Sequence, residues 1–186
     1  MICLDTLNTL PVEAFTATLG AIFEHSPWVA ERAAASRPFA SRLDLLDAMR
    51  TVVREAPLQD QLSLIRAHPQ LGARGRKRQE LTEASSSEQR RAGLDACSDA
   101  EFAELMRLNT EYVGKFDFPF ILAVRGHDPA SILAFMRSRL TNTLEEERLT
   151  ALTQIGLIAG YRLADLVSSS AAAAARSGDL SDPVSE

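Results

Sequence analysis

The sequence predicts an all-α fold: one compact, bundle-like domain of about eight helices. Three observations carry this. Apolar residues recur at three- and four-residue spacings along most of the chain, the period of one helix face. Helix caps and first-turn prolines punctuate those stretches. No segment alternates polar and apolar convincingly. Phe120 to Val124 is the one short apolar run suited to a strand, and a lone strand has no partner.

Pro11 opens a first helix that runs to about Glu24, with Phe15, Leu19, Ile22 and Phe23 inward. Proline suits a first helical position because the N–H it lacks would have no intrahelical partner there. Pro27 starts a second short helix, to about Ser36. Ser41 caps a third, with Leu43, Leu46, Met49, Val52 and Val53 on its apolar side. Pro57 begins a fourth, which ends at His68 because Pro69 disfavours the α conformation just before it. Gly72 to about Ser85 reads as a loop, and Ser86 to about Ala96 as a helix. Ser98-x-x-Glu101 is a capping box for the next helix, whose stripe is Phe102, Leu105, Met106, Asn109 and Val113. Asp117-Phe118-Pro119-Phe120 breaks it; Pro129 starts another helix to about Leu140, and the last runs from Leu144 to Val167. From Ser168 the chain is rich in Ser and Ala and then polar. The expected division is a helical domain over 1–167 and a disordered tail over 168–186.

A chain of 186 residues with 46% apolar and 24% charged residues fits one domain with a sizeable core. With 8 Phe, 2 Tyr and 1 Trp, that core is mostly aliphatic. A formal charge of −5 gives no overall attraction to nucleic acid or anionic membranes, and no run reaches the ~20 apolar residues of a membrane span. Cys3 and Cys97 are too few for a disulfide framework or a thiolate metal site and suit a reducing compartment. No basic region precedes a long apolar stretch at the N-terminus, and Pro183-Val184-Ser185-Glu186 is no peroxisomal signal. A cytoplasmic location is expected.

Three polar residues break local rules. His68 continues the stripe of Leu58, Leu62 and Ile65, so an imidazole sits inward at a helix C-terminus. Burial would lower its pKa and the negative end of the helix would raise it; a ring near neutrality suits acid–base chemistry. The plainer alternative is a histidine that only packs or bonds a carbonyl. Arg162 shares a face with Leu152, Ile155, Ala159 and Leu166. A guanidinium there must be paired, face a ligand, or snorkel to water. Glu88 lies three residues after Ser85 in a second capping-box pattern, so it reads as a cap or as a ligand contact near a helix start.

The cluster Arg74-Gly-Arg76-Lys77-Arg78 lacks interleaved aromatics and reads as a solvated loop. His25, His68 and His127 lack metal-ligand spacing, and the chain has no phosphate loop and no nucleophile elbow. No metal is expected. The residues alone leave open an enzyme that uses acid–base chemistry at His68, or a non-catalytic helical interaction module.

Three stretches resemble a known family. They are His68-Pro69-x-Leu71-Gly72, Ser85-x-x-Glu88-Gln89, and Asn109-x-x-Tyr112-x-x-Lys115-Phe116-x-Phe118-Pro119-Phe120-Ile121-Leu122-x-Val124-Arg125-Gly126. Together they resemble the 2-oxo-4-hydroxy-4-carboxy-5-ureidoimidazoline (OHCU) decarboxylases of urate breakdown, over about Leu7 to Leu166. Asp117 departs from the pattern, where the family commonly has glycine, as does the basic stretch Ala73 to Glu80. The resemblance implies a cofactor-free, all-helical decarboxylase, often a homodimer, that turns a small anionic ureidoimidazoline into (S)-allantoin. It implies His68, Glu88 and Arg162 as catalytic residues. Pro69, Ser85, Gln89, Phe118, Pro119, Phe120, Ile121 and Leu122 are implied as substrate-binding.

Overall fold

Hydroxyl and carboxylate caps set most helix starts in the computed structural model, which describes residues 1–72 and 82–168. Among these residues there are nine α-helices: α1 (Leu4–Thr9), α2 (Val12–Leu19), α3 (Pro27–Ala33), α4 (Arg42–Glu55), α5 (Leu58–Arg66), α6 (Glu83–Arg91), α7 (Asp99–Phe116), α8 (Pro129–Arg139) and α9 (Leu144–Leu166). Ser41 accepts from the Asp44 N–H at the start of α4. Ser98 with Glu101, Asp128 with Ser131 and Thr143 with Glu146 form reciprocal capping boxes on α7, α8 and α9. Each box satisfies two N–H groups that a helix start otherwise leaves open. Short 3₁₀ turns follow α3 (Ala34–Ser36) and precede α7 (Leu94–Ala96).

Helix α9 is the spine, packing on α4 and α5, while α2 packs on α3, α3 on α4, and α7 on α8. At 1.5 Å per residue its 23 residues span about 35 Å. That length carries Glu147 and Arg162 to different parts of the molecule. The N-terminal residues meet the segment after α9 in a two-residue parallel pairing, Ile2 with Val167 and Cys3 with Ser168. The core is mostly aliphatic; its largest aromatic cluster among the described residues is Tyr112, Phe116, Phe118 and Phe120, packed ring against ring, and Phe15 stacks on Phe39 apart from it.

Several expectations are corrected. The six-residue α1 carries too short a pattern to read from sequence. Pro11 caps α2 rather than beginning it, and α2 stops at Leu19 instead of Glu24. A turn then carries His25 at φ +46° and turns Glu24 into the interior. Helix α6 starts at Glu83, with Thr82 accepting from the Ser85 N–H, and ends at Arg91. Ser85 is therefore inside the helix and does not cap it, and Glu88 is no capping-box partner. The inward faces also differ in phase. Leu43 and Leu58 are exposed, while Leu45 on α4 and Leu64 on α5 are fully buried. On α7 the buried residues are Leu105, Leu108, Asn109, Tyr112 and Phe116, with Phe102, Met106 and Val113 only half-buried. A helix face about 100° wide tolerates this rotation without changing the helix assignment. The basic cluster 74–78 and residues 169–186 of the expected tail lie outside the described residues.

Candidate active site

His68 stands just beyond α5, where Pro69 stops the chain from continuing as helix. Its Nδ1 lies 2.9 Å from the Leu64 carbonyl oxygen. A carbonyl only accepts, so Nδ1 carries the hydrogen and Nε2 keeps a lone pair. Burial is the largest influence on the ring and holds its pKa down to about 4. The Leu64 carbonyl and the charge of Glu24 oppose that shift, while Arg162 and His25 add to it. At neutral pH the imidazole is uncharged and Nε2 is a base.

Arg162, on α9, spends every donor it has on protein atoms. Nε and Nη2 grip Glu88 at 2.9 and 3.0 Å in a bidentate pair. Nη2 also donates to Ser85 Oγ at 3.1 Å. Nη1 donates to Glu24 Oε2 at 2.8 Å and to the Ile22 carbonyl at 3.4 Å. Burial works against the guanidinium charge, but Glu88 and Glu24 outweigh it and hold the pKa above its usual value. The expected pairing of an inward arginine is thus met by two carboxylates, one of which sequence reasoning missed. Glu24 follows the inward pair Ile22 and Phe23, and a carboxylate at that phase is the same signal that marks Arg162.

Gln89 fixes the loop after His68. Its Oε1 accepts from the Gly72 N–H at 2.9 Å and its Nε2 donates to the Gln70 carbonyl at 3.2 Å. Gly72 has φ +76°, and a Cβ there would stand 2.4 Å from Leu105 Cδ2. Both its conformation and its space require glycine. Asn109 donates to the Leu71 carbonyl at 3.0 Å, which anchors the same loop to α7.

The Phe120–Leu122 wall belongs to neither a helix nor a strand. Buried Arg139 braces it, donating to the Ile121 carbonyl at 2.6 Å with its guanidinium 4.4 Å from the Phe120 ring centre. Arg139 in turn pairs with Glu147, which is 0% exposed and also accepts from Tyr112 and Asn142. Gln154 accepts from the Ala123 N–H at 3.0 Å. None of these supports was foreseen, since each serves a backbone stretch far away in sequence. Asp117, at φ +61°, ends α7 in the left-handed conformation that glycine favours. Arg66 holds it by carbonyl and carboxylate.

One small cleft collects most of the candidate residues: His68, Pro69, Ser85, Glu88, Gln89, Phe120, Ile121, Leu122 and Arg162, with Leu71, Val124 and Ile158. Phe118 and Pro119 are buried but are not among its walls; Phe118 stacks on Phe116, 5.9 Å between ring centres. Among the described residues no group of three or more His, Cys, Asp or Glu could hold a metal ion. A neutral base, an arginine–carboxylate pair and apolar walls suit proton relay on a small polar ring.

The chain is similar to several known proteins. An OHCU decarboxylase of Haloferax volcanii is 43% identical over 166 residues, 89% of this chain and 96% of that protein. The fold matches a crystal structure of (S)-allantoin synthase at TM-score 0.72 and 29% identity, over 90% of this chain and 54% of that one. It also matches a crystal structure of OHCU decarboxylase in the presence of (S)-allantoin at TM-score 0.65 and 25% identity, over 84% of this chain and 98% of that one. The profile of the OHCU decarboxylases matches residues 8–164, and the chain belongs to that family.

Proposed function

We propose that this protein decarboxylates 2-oxo-4-hydroxy-4-carboxy-5-ureidoimidazoline to (S)-allantoin without a cofactor. The observation that carries the reading is His68. Its Nδ1 is tied to the Leu64 carbonyl, so its basic Nε2 is left for the cleft that Arg162 and Glu88 share. The substrate bears a hydroxyl and a carboxylate on one ring carbon, next to a C=N bond. When the C–CO2 bond breaks, its electron pair forms a ring C=C bond and the imine pair moves to nitrogen. The ring is its own electron sink. The nitrogen takes one proton from water, and the hydroxyl proton passes through His68 Nε2 to the ureido-bearing carbon. The old hydroxyl becomes the allantoin carbonyl. Delivery from one nitrogen on one face sets a single enantiomer.

The fixed charges suggest how substrate is held. Glu24 and Glu88 against Arg162, with His68 neutral, leave the site one negative charge before an anionic substrate arrives. Glu88 is the outer partner, with its side chain 28% exposed against 1% for Glu24. Substrate oxygens take over the Nε–Nη2 edge of Arg162, and Glu88 turns to accept ureido N–H bonds. Pro69, Ser85, Gln89 and the Phe120–Leu122 backbone complete the pocket, with Phe118 and Pro119 shaping it from behind. Leu71, Val124 and Ile158 keep water from the carboxylate, which favours loss of CO2. The reading brings with it a homodimer in the cytoplasm, supported by the family resemblance and by low cysteine usage.

The test is a coupled assay on freshly generated substrate, following the circular dichroism of allantoin. Wild type should give one enantiomer. His68→Asn should lose on the order of 10²–10⁴ in rate, and its residual product should be racemic. A folded His68→Asn protein that makes one enantiomer at near wild-type rate would reduce His68 to the end of a helix. Failure of the wild type to bind allantoin or turn over substrate would favour an interaction module instead.

A further inference from the structure

Glu24 is the most buried acid in contact with the site, and it does not wall the cleft. It comes from the turn between α2 and α3, next to His25 in its left-handed conformation. The carboxylate takes three hydrogen bonds and so ties its turn to both α6 and α9. Oε1 accepts from Thr82 Oγ at 2.6 Å, at the cap of α6. Oε2 accepts from Ser85 Oγ at 3.0 Å and from Arg162 Nη1 at 2.8 Å. A purely structural ion pair to Arg162 is already supplied by Glu88, in bidentate form. A second, fully enclosed carboxylate adds a desolvation cost that a packing role alone could avoid with an apolar residue.

We propose that Glu24 is a positioning residue for the decarboxylation. It fixes Arg162 from the side away from the cleft, so that Glu88 can exchange for substrate, and it supports the proton that His68 carries between substrate atoms. The first role follows from geometry. Nη1 is committed to Glu24 and the Ile22 carbonyl, so the guanidinium keeps its orientation when the Nε–Nη2 edge changes partners. The second role follows from the charges facing His68. These are Glu24 and His25 from the turn, Arg162 from α9 and Glu88 from α6. Burial and Arg162 disfavour an imidazolium, and Glu24 is the enclosed negative charge that favours it. Glu24 itself stays ionised; burial raises its pKa, but Thr82 and Arg162 more than offset this and hold it below the usual carboxylate range. It neither takes nor gives the relayed proton.

The inference rests on the decarboxylase reading of the cleft, and Glu24→Gln separates the two. A glutamine amide can donate to Thr82 Oγ and keep its oxygen for Ser85 and Arg162, so shape survives while charge is lost. Two readouts are taken on the full chain: kcat and KM against pH, and an NMR titration of the His68 ring. The expected result is a kcat reduced about tenfold or more, with KM changed less. The His68 titration and the acid limb of the rate profile should both move to lower pH by about half a unit or more. A variant with wild-type kcat and an unmoved His68 titration overturns the proposal. If Glu24→Gln does not fold, Glu24→Asp serves, since it keeps the charge but withdraws it by one methylene. A several-fold lower kcat with KM within about twofold supports the assignment, and wild-type kcat overturns it. An inactive wild type refutes the decarboxylase reading, whereas an active wild type with indifferent variants refutes only the role of Glu24.

Discussion

Mild acid should destabilise this fold through His68. In the folded protein burial holds the imidazole down to about 4, against 6.5 for the ring in water. The folded value is the lower one. Between the two values the unfolded chain binds the extra proton, so stability falls as pH falls through that window. Above about 6.5 neither state is protonated there, and His68 adds no pH dependence. At about 1.4 kcal/mol per tenfold, the full gap is worth about 3 kcal/mol, of which about 2 kcal/mol is lost by pH 5. His68→Asn removes the titration but keeps an N–H that can donate to the Leu64 carbonyl. Urea unfolding of both proteins, followed by far-UV circular dichroism at pH 7, 6 and 5, isolates the effect. Losses from Glu24, whose folded carboxyl is also lowered, occur at lower pH and are common to both. Wild type should lose about 2 kcal/mol more than the variant between pH 7 and pH 5. Parallel losses would refute the claim that His68 is held neutral by burial.

Arg162→Met should cost about 3–5 kcal/mol of stability, because it leaves the Glu24 carboxylate enclosed without its cation; thermal unfolding at pH 7 measures it. Glu88→Gln should weaken (S)-allantoin binding by about tenfold in calorimetry with the fold intact, since it loses a charge-assisted acceptor; an unchanged affinity would remove Glu88 from the ligand. Activity should survive exhaustive chelation, and loss on EDTA treatment restored by one specific metal would end the cofactor-free mechanism. Asp117→Gly should leave stability within about 1 kcal/mol, because relief at φ +61° offsets an exposed pair with Arg66, and the Arg66 bond to the backbone carbonyl remains. A larger drop in urea unfolding would show that the carboxylate itself holds the Phe118–Leu122 segment.

Helix type and order were legible in the chain because they depend on neighbours within a few residues. Ser41 and Ser98 cap helices through bonds spanning three residues, and sequence alone contains both partners. Pro69 likewise ends the His68 segment by a clash with its immediate neighbour. His68 and Arg162 were visible as polar residues on apolar stripes, since burial of a charge or a ring without a reason is costly wherever it occurs. The Ser85–Glu88 pattern misled because two caps competed for one helix start; Thr82 took the Ser85 N–H, and Ser85 was left to bond Glu24. What tertiary structure alone decided is which partner satisfies each buried charge. Arg162 meets Glu24 across 138 residues and Glu88 across 74. The Arg139–Glu147 pair reaches Tyr112 on α7 and the Ile121 carbonyl beside Phe120. A sequence states that such a charge must be answered, by the price of leaving it bare in a low-dielectric interior. Only the packed arrangement of α5, α6, α9 and the turn at Glu24 states which atoms answer it, and so where a proton can be moved.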